Sequence, residues 1–170
     1  MIRYVELDEN LYGETMKVCV PGATAGHIWS RLVELDLAYT FDRVVMHVGT
    51  NYMPRIPGML WFNWRRGERS KLYARAEMMD LFKAATRLMP TSTFVFSGML
   101  PRGWKAFSPD IITFNRWMQE ACCDMGIVYI HHGEFWKRYE NGFSLICWDS
   151  VHLNRIGVDV LQRSLNNFLA

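Results

Sequence analysis

Arg43-Val44-Val45-Met46-His47-Val48-Gly49-Thr50-Asn51 decides how the chain is read. An apolar, β-branched run continues without polar alternation until a glycine stops it. Continuous runs of this length mark strands buried on both faces, and such strands belong to parallel sheets. Three other runs share the character: Lys17-Val18-Cys19-Val20, stopped by Pro21-Gly22; Thr93-Phe94-Val95-Phe96-Ser97, stopped by Gly98; and Gly126-Ile127-Val128-Tyr129-Ile130.

Helical patterns fill the intervals. Residues 24–37 align Ile28, Leu32 and Leu35, and residues 68–88 carry Leu72, Met79, Phe82 and Leu88 among charged neighbours. Ser108-Pro109-Asp110 reads as an N-cap, a proline at the first helical position and an acid behind it. The stripe Ile111, Phe114, Met118, Ala121, Met125 follows at helical spacing. A last helix is expected from about Arg155 to Leu169. Strand–helix alternation implies βαβ units: an α/β fold, three-layer α/β/α, with a parallel, flavodoxin-like sheet. The stretch from Tyr52 to Gly67, with two prolines, two tryptophans and Arg65-Arg66, reads as a long loop after the second strand. That is where α/β proteins place ligand-facing loops.

Composition narrows the class. With 170 residues the chain is expected to be one domain over 1–170, and 50% apolar with 21% charged residues excludes a disordered or low-complexity protein. The net charge of +2 hides an asymmetry: −3 over 1–50, +7 over 51–105 and −2 over 106–170. No apolar run reaches the length of a membrane span, and the first residues lack the pattern of a signal peptide. Cys19, Cys122, Cys123 and Cys147 show no C-x-x-C spacing, so reduced thiols and a cytoplasmic location are expected. His131-His132 with Glu134 offers metal-ligand types, but adjacent histidines on an extended segment point to opposite sides. No metal and no cofactor are expected.

Three constellations carry possible chemistry. In Asp149-Ser150-Val151-His152 an acid three residues before a histidine lets the carboxylate accept the ring Nδ1–H and leave Nε2 as a base. The alternative is an acid that caps the following helix beside an unrelated histidine. In Gly49-Thr50-Asn51 the amide of Asn51 is placed to donate to an oxyanion at the carboxyl edge of the sheet, or is simply a turn asparagine. In Pro21-Gly22-Ala23-Thr24 the Gly22 N–H is a second such donor, or belongs to a plain turn ahead of a Thr24 N-cap.

The order glycine, then Gly-x-Asn, then Asp-x-x-His resembles blocks II, III and V of the SGNH (GDSL-type) hydrolases. The resemblance spans nearly the whole chain. It takes in 43–51, Ser97-Gly98-Met99-Leu100-Pro101-Arg102, and Asp149 to Gly157 through Leu153-Asn154-Arg155-Ile156. The chain is similar to SGNH-like domains found in animal genomes beside mobile-element sequences. The resemblance implies a serine esterase site acting on small acyl esters, with His152 as general base, Asp149 orienting it, and Asn51 and Gly22 N–H as oxyanion donors. Two features depart from the pattern. The nucleophile block Gly-Asp-Ser is absent, and Met1-Ile2-Arg3-Tyr4-Val5 looks like the residues that follow it. The usual Asn-Asp of block III reads Asn51-Tyr52.

The resemblance therefore implies an N-terminally truncated domain, inactive as given, whose first strand is missing. Strands 17–20 and 43–48 are then expected either to pair directly or to leave a one-strand gap of about 9–10 Å. Ser30, Ser97 and Ser150 are poor substitutes for the nucleophile: one lies inside a helix, one closes another strand, one sits between acid and base. The alternative to an esterase-like domain is a non-catalytic binding domain, or a fragment without function. In the binding reading, the surviving pocket or the basic tryptophan-containing stretch 52–71 (Arg55, Trp61, Trp64, Arg65, Arg66, Arg69, Lys71) takes a ligand, a protein or single-stranded nucleic acid. A solvated loop covering the site edge is the simpler account of that stretch.

Overall fold

Arg43–Met46 forms β1, and its parallel partner β2, Thr93–Ser97, aligns Val44 with Phe94 and Met46 with Phe96. A third strand, β3 (Val128–Ile130), completes a sheet of order β1-β2-β3. The computed structural model describes residues 14–52, 60–101 and 108–169, with side chains of the helical residues 60–71 and of Ser108 left aside. Five α-helices lie among these residues: α1 Ala25–Asp36, α2 Leu60–Leu88, α3 Ser108–Asp124, α4 Gly133–Glu140 and α5 Arg155–Leu169. The open α/β fold with parallel strands is thus as the sequence predicts.

Two units divide the chain. One comprises 20–99 and 109–129; the other comprises 130–169 with the described parts of 1–19 and 100–108. In the first, Phe94, Val95 and Phe96 of β2 are buried, as a central strand requires. Phe82 of α2 meets Phe96 edge-on at 5.1 Å, and Tyr129 approaches Phe96 at 6.0 Å. Met78, Phe82 and Ala85 form the buried stripe of α2, while Ile111, Phe114 and Met118 form that of α3. The helix α1 packs along α2. In the second unit, Phe135 and Tyr139 of α4 and Val160, Leu161 and Leu165 of α5 are buried, and the two helices pack on each other.

Several expectations are corrected. Lys17–Val20 is irregular, and Met16–Cys19 are exposed. A strand is stabilised by its ladder partners, and among the described residues β1 pairs only with β2. Lys17–Val20 thus does not pair with β1 as a strand. The helix α2 starts at Leu60, so the second half of the expected 52–67 loop is helical. Only Gly67 there is a poor helix former, at about 1 kcal/mol, which a helix of 29 residues absorbs. Pro54 and Pro57 lie outside the described residues, as do Met1–Val5. The segment around His131-His132 does not stay extended, because His132 begins α4 with a φ of +26°. Leu72, one of the apolar residues of the pattern over 68–88, is exposed.

Candidate functional site

The acid–histidine pair sits in a hairpin held by its own backbone. Ile146 and Leu153 form an antiparallel bridge, and Cys147 N–H donates to His152 O at 2.7 Å. Ser150 N–H donates to Cys147 O at 3.0 Å, with Ser150 at a φ of +60°. Inside this turn Asp149 uses both oxygens. Oδ1 accepts the Val151 and His152 backbone N–H groups at 2.9 and 3.0 Å, and Oδ2 accepts His152 Nδ1–H at 2.5 Å. The hydrogen bonds from His152 and Val151 hold the Asp149 carboxyl down at about 2. An ionised carboxylate only accepts, so the proton of a neutral His152 ring lies on Nδ1 and Nε2 keeps its lone pair. His152 is exposed. The pair is chemically a base with a fixed tautomer.

Residues just beyond His152 anchor the hairpin to α5. Asn154 Oδ1 accepts Gly157 N–H at 2.9 Å, an N-cap bond that satisfies a first-turn donor. Asn154 Nδ2 donates to Ser144 O at 2.8 Å, and Asn154 N–H donates to Leu145 O at 3.1 Å. The backbone of Gly157 lies so close that a Cβ there would stand 2.1 Å from Leu145 O. Sequence reading took both residues into the resemblance without giving either a role, although an asparagine just ahead of an apolar helical pattern is a recognisable cap signal.

In the other unit the two expected oxyanion residues share one corner. Gly22 adopts a φ of +72° in the turn before α1, and Thr50–Tyr52 forms a single 3₁₀ turn after Gly49. Gly49 has a φ of +119°, and a Cβ there would lie 3.1 Å from Met99 Sδ and 3.3 Å from the Phe114 ring. A glycine is required at that position on both counts. Asn51 Nδ2 donates to Ala23 O at 2.9 Å, which brings the 49–52 turn onto the 22–25 turn. Beside it, Tyr52 OH accepts Ala25 N–H at 2.9 Å and donates to Glu77 Oε2 at 2.5 Å. Burial and the Glu77 hydrogen bond raise the Tyr52 pKa, so the phenol keeps its proton. Sequence reading placed Gly22 and Asn51 but saw in Tyr52 only a departure.

The serines divide by environment. Ser30 lies within α1 and donates to Gly26 O at 3.2 Å. Ser97 is buried at the end of β2, with Oγ 2.8 Å from His47 Nδ1. Burial lowers the His47 pKa to about 4, which keeps the ring neutral. Asn115 bridges the turn beyond Ser97, accepting Met99 N–H and donating to Met99 O, both at 2.8 Å. Among the described residues no group of three histidine, cysteine or acidic side chains converges as a metal site. Likewise, among the described residues no helix is long and apolar enough to cross a membrane. All four cysteines are free thiols, and burial pushes Cys122 up to about 12. The side chains of Arg55, Trp61, Trp64, Arg65, Arg66, Arg69 and Lys71 lie outside the described residues.

Comparison with protein-family models and with curated protein sequences gives no match. Solved structures do match. The W-to-I variant of Axe2, an acetyl xylan esterase from Geobacillus stearothermophilus, superposes with a TM-score of 0.68 at 14% identity over 88% of this chain and 69% of that one. Axe2 itself gives 0.66 at 13% identity over 88% and 68%. LAE5, an alpha/beta hydrolase enzyme from the metagenome of Lake Arreo, Spain, gives 0.63 at 13% over 87% and 68%. Variants of Axe2 described as catalytic mutants replace a serine, an aspartate and a histidine, the last two three positions apart. At such identity the likeness is one of fold: this chain has the architecture of known esterases and hydrolases.

Proposed function

We propose that the chain is an SGNH hydrolase-like domain, related to serine esterases and directed at small acyl esters. The observation that carries the reading is the Asp149–His152 pair, with its fixed tautomer and open Nε2. In this reading His152 is the general base, Asp149 orients it and stabilises the imidazolium, and Asn51 Nδ2 with Gly22 N–H receives the oxyanion. The aspartate and histidine altered in the Axe2 catalytic mutants have the spacing of Asp149 and His152. A tryptophan altered in another Axe2 variant directly precedes that aspartate, as Trp148 precedes Asp149. An acetylated carbohydrate is therefore the substrate class favoured.

The 170 residues contain no Gly-Asp-Ser. Without the serine of that block, His152 has only water to deprotonate, and the chain as given turns over esters negligibly. The four free thiols favour a cytoplasmic setting.

The test adds a nucleophile. A form with a strand ending in Gly-Asp-Ser placed ahead of Met1 is treated with a fluorophosphonate probe and a short-chain nitrophenyl ester, beside the unextended chain. Labelling and turnover are expected only in the extended form. Both are abolished by His152→Ala, and Asn51→Ala lowers the rate on the order of 10²–10³-fold. Turnover indifferent to His152, or none in a folded extended form, overturns the reading. Labelling of the unextended chain that vanishes with His152→Ala overturns its inactivity.

A further inference from the structure

Tyr52 stands where the block III pattern has an aspartate, and its bonds are not those of a bystander. Its hydroxyl accepts the first helical N–H of α1, from Ala25, and donates to Glu77 in the middle of α2. Tyr73 OH donates to the second oxygen of Glu77 at 2.7 Å, so the carboxylate is held from two sides. Tyr52 N–H closes the 3₁₀ turn on Gly49 O at 3.0 Å. Asn51, the next residue back, spends one Nδ2 hydrogen on Ala23 O, its single hydrogen bond among the described residues. Its other Nδ2 hydrogen has no acceptor among the described residues. Gly22 N–H makes no hydrogen bond among the described residues, and both Gly22 and Asn51 are exposed.

We infer that Tyr52 and Glu77 are positioning residues that fix the Asn51 amide against the Gly22 turn, making one preformed corner for an oxyanion. The inference rests on the oxyanion role proposed above for Asn51 and Gly22. Two consecutive side chains reach the same turn, Asn51 at Ala23 and Tyr52 at Ala25. The bond to Ala23 O sets the direction of the carboxamide only as well as the backbone beneath it is held; the second attachment, at Tyr52, holds that backbone. Preorganised donors are effective because they need not reorganise when charge develops. Glu77 is the outer anchor, since its carboxylate accepts the Tyr52 O–H and leaves the phenolic lone pairs for Ala25 N–H.

The experiment is a ¹⁵N NMR titration of the full 170-residue chain with sodium acetate, a carboxylate of the size an acyl ester releases. In the wild type acetate is expected to shift the Asn51 carboxamide and the Gly22 amide. In Tyr52→Phe the Asn51 carboxamide pair moves toward free-amide positions, acetate binds about fivefold more weakly, and the Ala25 amide exchanges about tenfold faster, as loss of one hydrogen bond dictates. Glu77→Gln keeps an acceptor for Tyr52 and stays near wild type, whereas Glu77→Leu behaves like Tyr52→Phe. Tyr73→Phe, which removes only the outer contact to Glu77, leaves acetate affinity unchanged. An Asn51 carboxamide and acetate affinity that are the same in Tyr52→Phe as in the wild type overturn the inference. If Tyr52→Phe fails to fold, Glu77→Leu decides by the same signals. Should acetate move neither signal in the wild type while Tyr52→Phe still displaces the Asn51 carboxamide, the oxyanion role falls and the clamp stands.

Discussion

The hairpin of Asp149 and His152 and the corner of Gly22 and Asn51 are built by opposite means. In the hairpin the bonds that orient the His152 ring come from within three residues, and the anchor to α5 spans no more than about a dozen. In the corner, Asn51 and Tyr52 reach partners 25 to 28 residues away. A base needs one fixed neighbour, which a tight turn supplies. An oxyanion donor must be aimed at a point in space that its own turn does not define, so distant elements must aim it. Local order serves the proton, and long-range order serves the charge.

The contrast is broken or sharpened most strongly at two glycines. Gly157→Ala is expected to destabilise by about 3 kcal/mol, because its Cβ meets a backbone oxygen that cannot step aside. Gly22→Ala sits in open space and carries only the left-handed backbone cost of about 1–2 kcal/mol. Urea midpoints read both, and equal losses would show that the hairpin has slack the structure denies it.

Acid separates the regions next. Burial lowers the His47 pKa to about 4, so the unfolded chain takes up a proton first as pH falls below about 6.5. Stability is full above that pH and declines toward 4 by up to about 1.4 kcal/mol per pH unit. Asp149 is depressed instead. Its contribution is present above the ordinary carboxylate value and is lost only as pH falls from about 4 through about 2. Denaturant midpoints between pH 7 and 4 should fall in the wild type and flatten in His47→Gln, while the Asp149 carboxyl ¹³C shift reports its protonation only near pH 2. A hairpin signal that moves together with the His47 transition would break the distinction.

The two asparagines give the subtlest test. Asn154→Ala removes an N-cap and a bond to Ser144 and should cost about 1–2 kcal/mol. Asn51→Ala loses one bond at an exposed site, about 0.5–1 kcal/mol, and its effect should appear in anion binding rather than in stability. Thermal melts of the two variants, run beside the acetate titration, check the ranking.

The same contrast explains what the sequence makes legible. Asp149-x-x-His152 is readable because the partner lies within one turn, and the α3 stripe is readable because Ile111, Phe114 and Met118 repeat at a fixed period. Lys17–Val20 has strand composition, but a strand depends on a partner that composition does not name. The start of α2 at Leu60 is obscured by glycines and tryptophans that read as loop. The helix α4 is short, yet Phe135 with Tyr139 and Glu134 with Arg138 carry an i,i+4 signal that eight residues make easy to overlook. Tyr52 to Glu77 is legible to no local rule, since only the packing of α1 beside α2 gives the tyrosine something to hold.

Trp148 adds one more consequence. At the tip of the hairpin it is 97% exposed, four residues before His152. An indole wholly in water emits at the red edge of tryptophan fluorescence, and red-edge detection favours it over indoles shielded by protein. A protonated imidazole is an efficient quencher of such emission, and a neutral one is not. The hairpin therefore carries its own lamp beside the base.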